Sequence, residues 1–384
     1  MIHTKISLKN CVEFIFFLCL NFSLALKASQ LHITLQSIAT VLNIIAMVFL
    51  CIKYLFVHKY SKTALVSVFF IIILGVIYSA YYRNMGILNI AMAILIAKNM
   101  EFSRLMRYNF CTMLMAAGFI FFTSILGVTS IYSQDVFKLE EWRSLYAFGF
   151  VSSNTPSIFI LTILTAYNLL RGKDLKLKEI FAEVWLTVGT YFLFYNRTAG
   201  ITFILYLAGL LICKYVQKFK SLTRFLYPLQ YSYFLFAGLT YYAVFHFDTS
   251  IVMSEINMLL SDRLHLLSTL LYYAGIHLLG NGHVIDSLGV SIDNAYVFIL
   301  IAYGICMVVL YGFIFTYVIM NAYKNRDWNL FMVVIAYLIY GLGENPVFSS
   351  TYCNVLLTFG FLFLNSNRKE LKKVTHLEAN YYHC

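Results

Sequence analysis

The chain has 384 residues, of which 61% are hydrophobic and only 12% are charged, and its mean hydropathy is +0.78. Soluble proteins usually carry about a quarter of charged residues, so this composition excludes an ordinary soluble domain and indicates an integral membrane protein. The formal net charge of +11 would suit nucleic-acid binding, but the basic residues lie in alternate turns between apolar segments. That pattern is typical of cytoplasmic loops in membrane proteins, and we expect no nucleic-acid partner.

Apolar segments suited to membrane-spanning helices follow one another along the chain. Their approximate bounds are 11–26, 33–52, 64–80, 86–97, 109–128, 156–170, 180–195, 199–216, 226–245, 296–319, 329–343 and 352–364. The first segment also resembles a secretory signal peptide, but retaining it as a helix places every later basic turn on one side. The sequence therefore predicts an all-α, polytopic integral membrane protein with about twelve transmembrane helices, and a single domain over residues 1–384.

Most of the 28 Lys and Arg residues fall in alternate connections. This distribution predicts that those connections and both termini are cytoplasmic. On this topology residues 246–295 form one large external loop, and the remaining polar residues gather on the outer side. The outer polar segments are 148–157, 196–198, the large loop and 344–346, and the outer basic residues are Lys27, Arg83, Lys138, Arg143, Arg197 and Arg263.

Within the large loop, apolar residues recur at helical spacing and polar residues lie on the opposite stripe. The apolar stripe is Ile256, Leu260, Leu264, Leu267, Leu271, Ala274 and Leu278, and the polar one is Asp262, His265, Thr269 and Tyr272. This pattern predicts an amphipathic helix on the membrane surface. It is either a lid packed on the bundle or a lid whose polar stripe faces a substrate.

Arg197 and Arg263 lie beside apolar residues on the predicted outer side. A guanidinium group in that position needs an anionic partner. The partner is either a protein carboxylate, such as Asp262 or Glu344, or a phosphate or pyrophosphate, which matches the planar fork of arginine.

The histidines of the outer region do not have the spacing of metal ligands. His246, His265, His277 and His283 include no i, i+4 pair, the GNGHVID turn has no ligand pattern, and none of the eight cysteines forms a CxxC pair. We therefore expect no metal and no cofactor. His283, in a glycine turn, suits hydrogen bonding or general-base catalysis, whereas Asp293 is either the N-cap of the tenth span or a catalytic base.

Five short motifs, all on the predicted outer side, resemble those of the O-antigen and capsule polysaccharide polymerases, usually called Wzy, which are related to the O-antigen ligases. They are FGF followed by Asn154, NRT at 196–198, LLSDRL at 259–264, GNG at 280–282, and DNAY at 293–296 followed by Tyr303 and Gly304. The family often has S-G-R where this chain has Ser261-Asp262-Arg263, so Arg263 matches and Asp262 departs. The ligases usually carry His before the Asn of Asp293-Asn294, which favours a polymerase.

The resemblance implies a metal-independent glycosyltransferase at the outer face of the bacterial cytoplasmic membrane. Its reaction transfers a growing glycan from undecaprenyl pyrophosphate to a new lipid-linked repeat unit. Arg197 and Arg263 would hold the pyrophosphate, and Asp293 or His283 would take the acceptor proton. The implied substrate-binding residues are Asn154, Asn196, Asp262, His265, Asn294 and Tyr296. The implied partners are the undecaprenyl-pyrophosphate-linked oligosaccharide, membrane lipid and a chain-length regulator protein.

Three alternatives come from other classes. An O-antigen ligase would transfer the same donor to lipid A core. A lipid-linked oligosaccharide flippase would place its charged residues in a central cavity, and a small-solute transporter would show ionisable residues or broken helices at mid-depth. The predicted spans are almost free of carboxylates, apart from Glu13 and Glu183.

Overall fold

The computed structural model describes residues 8–57, 60–82, 85–133, 136–138, 141–143, 145–216, 224–249, 251–259, 262–288, 292–345 and 348–365. These residues are predominantly helical. A short antiparallel hairpin is formed by β1 (Val136–Lys138) and β2 (Glu141–Arg143). A π-helical turn, Lys53–Val57, continues the second helix, and 3-10 turns occur at Gly172–Asp174, Arg224–Tyr231 and Ser350–Tyr352.

The α-helices of the first part of the chain are α1 (Leu8–Lys27), α2 (His32–Ile52), α3 (Lys62–Tyr82), α4 (Gly86–Ile96), α5 (Phe102–Ile125), α6 (Thr155–Arg171), α7 (Leu177–Phe194), α8 (Arg197–Val216) and α9 (Ser232–Phe245). The large loop contains α10 (Ile251–Leu259), α11 (Arg263–Ala274) and α12 (Gly282–Leu288). The last part comprises α13 (Ala295–Lys324), α14 (Trp328–Tyr340) and α15 (Asn354–Leu364).

Every predicted apolar segment contains a helix, so the helical assignment is confirmed. Five stretches are long and apolar enough to cross a membrane: Leu8–Lys27, Thr34–Val57, Ala64–Tyr81, Phe102–Ile125 and Ala295–Lys324. The chain is therefore a membrane-embedded helical protein. Four other apolar helices, α4, α14, α15 and the Arg197–Cys213 part of α8, have 10–17 residues, fewer than the roughly 20 that a span needs. The number of crossings stays a prediction.

Contacts between connections sort the helix ends into two groups. At one end Lys9 donates to the carbonyl of Asn99 at 3.3 Å, and the amide of Asn99 donates to Asn365 at 3.0 Å. At the other end the amide of Gln30 donates to the carbonyl of Gly149 at 2.8 Å. The first group joins the start of α1, the connection before α5 and the end of α15, all of which were predicted to lie on one face. The second group joins two connections that were predicted to lie on the other face. Which face is cytoplasmic is predicted from charge alone.

A chain of buried amides and hydroxyls ties the centre of the bundle together. Asn21 of α1 donates to Asn109 of α5 at 3.0 Å, Asn109 donates to Asn354 of α15 at 2.8 Å, and Asn354 donates to Thr165 of α6 at 2.8 Å. All four side chains are fully buried. Polar groups away from water are tolerated when they are bonded to one another, so these bonds fix the start of helix α15 inside the bundle.

Helix α13 is broken at Gly304, whose φ is 82° and ψ 179°. In a regular helix each backbone amide donates to the carbonyl one turn earlier, and the break removes those acceptors for the amides that follow Gly304. The amides of Ile305 and Cys306 donate instead to the carbonyls of His277 and Leu278, each at 3.1 Å. The loop before α12 thus supplies the hydrogen bonds that the broken helix lacks.

Further contacts hold the same loop against the break. The amide of Asn281 donates to the carbonyl of Ile301 at 2.6 Å, and the hydroxyl of Tyr78 in α3 donates to the carbonyl of Ala302 at 3.0 Å. Gly280 has a φ of 82°, and a Cβ there would come within 2.5 Å of the Ala302 carbonyl oxygen. Gly280 of the GNG turn and Gly304 therefore carry glycine because two backbones touch and both turn through the left-handed region.

We expect Gly304→Ala to destabilise the protein strongly. A Cβ at this position would overlap the Gly280 amide and the Leu278 carbonyl, and a positive φ costs a non-glycine residue about 1–3 kcal/mol by itself. Thermal unfolding of the purified protein in detergent measures the effect. The matched control is Gly238→Ala in α9, where a Cβ meets nothing within 4 Å. Equal melting temperatures for the two variants would contradict this account of the break.

Candidate functional site

The connection that follows α14 is where three of the predicted outer motifs meet. The side-chain amide of Asn294 donates to the carbonyl of Leu342 at 2.9 Å, and the guanidinium of Arg263 donates to the carbonyl of Gly343 at 3.4 Å. Thr198 lies so close to Gly343 that a Cβ there would come within 2.5 Å of its hydroxyl. We call Thr198, Arg263, Asp293, Asn294 and Gly343 the outer cluster.

Arg263 and Asp293 form an ion pair in the outer cluster. Nη2 of Arg263 lies 3.4 Å from Oδ2 of Asp293, and the two side chains are 37% and 39% exposed. The sequence left open a protein carboxylate, such as Asp262 or Glu344, or a phosphate as the partner of this arginine, and the structure places a third protein carboxylate, Asp293, beside it. Ion pairs this accessible to solvent contribute only about 0–1 kcal/mol. An anionic ligand can therefore separate the pair at small cost.

Helix α13 is capped by Asn294 and not by Asp293. The side-chain oxygen of Asn294 accepts a hydrogen bond from the amide of Val297 at 3.0 Å, while its amide group holds the connection after α14. Of the two roles considered for Asp293, the helix cap is thereby excluded. The Asp293 carboxylate points to Arg263 instead, at the mouth of the same helix.

Arg263 is the first residue of α11, and Asn257 fixes that start. The Asn257 side chain is buried, accepts from the amides of Leu264 at 2.9 Å and His265 at 3.2 Å, and donates to Asp262 at 3.1 Å. A cap normally stands directly before its helix, whereas Asn257 belongs to the preceding helix α10. Sequence reasoning missed it for that reason. Asp262, a predicted substrate-binding residue, holds Asn257 in place here.

The apolar face of α11 packs on the bundle. It buries Leu264, Leu267, Leu270, Leu271 and Ala274 in a cluster with Val244 of α9, Ile292 in the connection before α13, and Val297, Leu300 and Ile301 of α13. The predicted stripe is confirmed from Leu264 to Ala274, and α11 is a lid packed on the bundle.

The predicted length of the amphipathic helix was wrong. Helix α10 ends at Leu259 and α11 ends at Ala274, because Gly275 adopts a φ of 69°. Leu278 lies beyond that end and is exposed, and Leu260 and Ser261 fall outside the described residues. A polar stripe that faces a substrate stays a prediction.

The NRT motif begins α8. Asn196 is buried, accepts from the amide of Ala199 at 3.0 Å and donates to the hydroxyl of Tyr340 in α14 at 3.3 Å, so it caps α8 and joins it to α14. Arg197 is exposed, and its guanidinium carbon lies 5.8 Å from the centre of the Tyr195 ring. That cation–π contact leaves the donors of Arg197 directed to solvent or to an anion.

Two other predicted substrate-binding residues have structural contacts. Tyr296 is fully buried, and its hydroxyl donates to the carbonyl of Leu338 at 2.8 Å, which joins α13 to α14. Asn154 precedes α6, and its carbonyl accepts from the amide of Ser157 at 3.2 Å. Tyr296 therefore fixes the start of α13 against α14 and, being fully buried, does not line the outer cluster.

His265 and His283, the two histidines predicted to belong to the site, lie in different places. The ring of His265 lies 5.3 Å from that of Phe247, and the ring of His283 lies 6.2 Å from that of Tyr81 in α3. His283 thus belongs with the loop at the break in α13, on the α3 side. Among the described residues, no three His, Cys, Asp or Glu side chains are grouped as a metal ion would require.

Comparisons of the chain with models of known protein families, with curated proteins and with solved structures found no match. The relation to the polysaccharide polymerases is accordingly a resemblance of short motifs, and the arguments about function below start from the residues of the outer cluster.

We predict that the outer cluster faces away from the cytoplasm. In a cysteine-free background, Thr249→Cys in the large loop should react with a membrane-impermeant maleimide in intact cells. The matched control, Lys178→Cys at the start of α7, should react only after the membrane is opened. Both positions are exposed in the structure. Labelling in the reverse order would overturn the assignment of sides.

Proposed function

We propose that this chain is a Wzy-type polysaccharide polymerase, a glycosyltransferase that joins undecaprenyl-pyrophosphate-linked repeat units at the outer face of the bacterial cytoplasmic membrane. The observation that carries the proposal is the ion pair between Arg263 and Asp293, 3.4 Å apart and partly exposed. It places a group suited to pyrophosphate and a group suited to general-base catalysis in direct contact, within a cluster formed by three of the five motifs of the resemblance.

Binding of the donor would open this pair. A pyrophosphate carries more negative charge than one carboxylate and offers oxygens in the geometry of the guanidinium fork. Arg263 would turn from Asp293 to the pyrophosphate, and Asp293 would be released close to the reacting centre. Donor binding would thus activate the base, so that Asp293 is available only when a glycan is in place.

The transfer itself needs one nucleophile and one leaving group. The acceptor hydroxyl forms a bond to the anomeric carbon of the growing glycan, the bond from that carbon to the pyrophosphate oxygen breaks, and the hydroxyl proton passes to Asp293. Undecaprenyl pyrophosphate leaves with its negative charge held by Arg263, with Arg197 next to the cluster as a second cation. His283 is the other candidate base, and its place beside Tyr81 of α3 favours Asp293 for this role.

Transport is the second candidate, and the break in α13 is the observation in its favour. Broken helices at mid-depth often form substrate or ion sites in transporters. Here the freed amides of Ile305 and Cys306 are bonded to His277 and Leu278 of the protein's own loop. Because those donors are engaged, the break anchors the large loop, which supports the polymerase over a small-solute transporter.

We expect Asp293→Asn to stop polymerisation without loss of protein. Asn294 is the helix cap, so the variant keeps the cap, the shape and the packing but loses the base, which contributes about 100-fold or more. Arg263→Ala should abolish transfer, and Arg263→Lys should impair it because a point charge cannot form the bidentate contact. Gel analysis of the glycan should show single repeat units in place of long chains.

The control for these variants is Asp248→Asn, which removes an exposed carboxylate from the same loop and should leave long chains. Loss of a flippase would instead leave repeat units on the inner leaflet, where an external glycosidase cannot reach them. Normal chain length in both Asp293→Asn and Arg263→Ala would refute the polymerase mechanism. Repeat units trapped inside would favour the transporter.

A further inference from the structure

Among the described residues, two glutamates within helices are buried, and they have opposite surroundings. Glu13 of α1 is fully buried, with Oε1 3.3 Å from the ammonium of Lys53 and Oε2 3.9 Å from the guanidinium of Arg104. Two cations thus lie beside one carboxylate. A buried carboxylate is tolerated when it is paired in this way.

Glu183 of α7 is 5% exposed and has no cation beside it among the described residues. The side-chain amide of Asn168 in α6 donates to its Oε2 at 2.9 Å and to the hydroxyl of Tyr206 in α8 at 2.7 Å. The neighbouring cation, Arg171, lies 3.1 Å from Glu179, one turn earlier in α7. The nearest charge along the helix is therefore another carboxylate, which opposes ionisation of Glu183.

Two oxygens in this group are buried without any partner: Oε1 of Glu183 and Oδ1 of Asn168. Both are acceptors while Glu183 is ionised, so neither can satisfy the other. A proton on Oε1 makes it a donor to Oδ1 of Asn168. The acid and the amide would then form a ring of two hydrogen bonds, because Asn168 already donates to Oε2. One proton removes the buried charge and pairs both oxygens.

We propose that Glu183 is a proton-binding site inside the membrane domain, in which the carboxyl group holds an exchangeable proton on Oε1 and donates it to Asn168. The titratable and polar groups around it are Tyr167 and Asn168 on α6, Glu179 on α7 and Tyr206 on α8. Glu183 is the seventh residue of α7, about 9 Å from its start. That start carries the predicted cytoplasmic residues, so the site lies towards the predicted inner side and apart from the outer cluster.

Infrared spectroscopy of the purified protein tests the site directly. A protonated carboxyl has a C=O stretching band that a carboxylate lacks, and the band shifts in heavy water when its proton exchanges. We expect this band in the wild-type protein at neutral pH, its loss in Glu183→Gln, and its retention in Glu13→Gln. Absence of the band from the wild-type protein, or its loss in Glu13→Gln instead, would overturn the proposal.

Thermal stability gives a second readout with the same two variants. A glutamine at position 183 can donate to Oδ1 of Asn168 and accept from its amide, so Glu183→Gln should melt within a few degrees of the wild type. Glu13→Gln removes the charge that compensates Lys53 and should lower the melting temperature clearly. A fall in Glu183→Gln as large as that in Glu13→Gln would mean that Glu183 is ionised, and the proton site would be refuted.

Discussion

Backbone groups inside a membrane have no water to bond to, and the break in α13 at Gly304 is where this constraint shapes the rest of the protein. The freed amides take the carbonyls of the loop at 277–281 as partners. The same loop bonds back to the end of α11, since the side chain of Asn281 donates to the carbonyl of Ala274 at 3.3 Å. One set of hydrogen bonds thus fixes the lid helix α11 to the helix on which it lies.

The position of the lid decides where the charged residues stand. Helix α11 begins at Arg263 and α13 begins two residues after Asp293, so the packing of these helices brings the two side chains to 3.4 Å. Asn257 and Asn294 fix the two helix starts by accepting hydrogen bonds from their first amides. The caps thereby hold Arg263 and Asp293 in position, and the attraction between opposite charges then pairs them. Glu13 and Glu183 differ in their neighbours for the same reason: the packing of the helices places two cations beside Glu13 and the amide of Asn168 beside Glu183.

Sequence could predict the helical segments because hydropathy over some 20 residues is a local property. It also predicted the buried stripe of α11 from Leu264 to Ala274, since that stripe has a regular period. It did not predict the partner of Arg263 or the cap formed by Asn257, because both depend on which helices become neighbours in space. The break at Gly304 was missed for a similar reason. A glycine in an apolar segment does not by itself indicate a break, and the contact with the backbone of Leu278 and Gly280 that requires it is not visible in the sequence.

The most direct test of the proposed activity uses the purified protein, reconstituted in lipid vesicles with undecaprenyl-pyrophosphate-linked repeat units and a metal chelator. If Arg263 and Asp293 perform the transfer, long glycans should appear, and one molecule of free undecaprenyl pyrophosphate should be released for each linkage formed. Repeat units that stay single in the presence of folded wild-type protein, with no carrier released, would contradict the account.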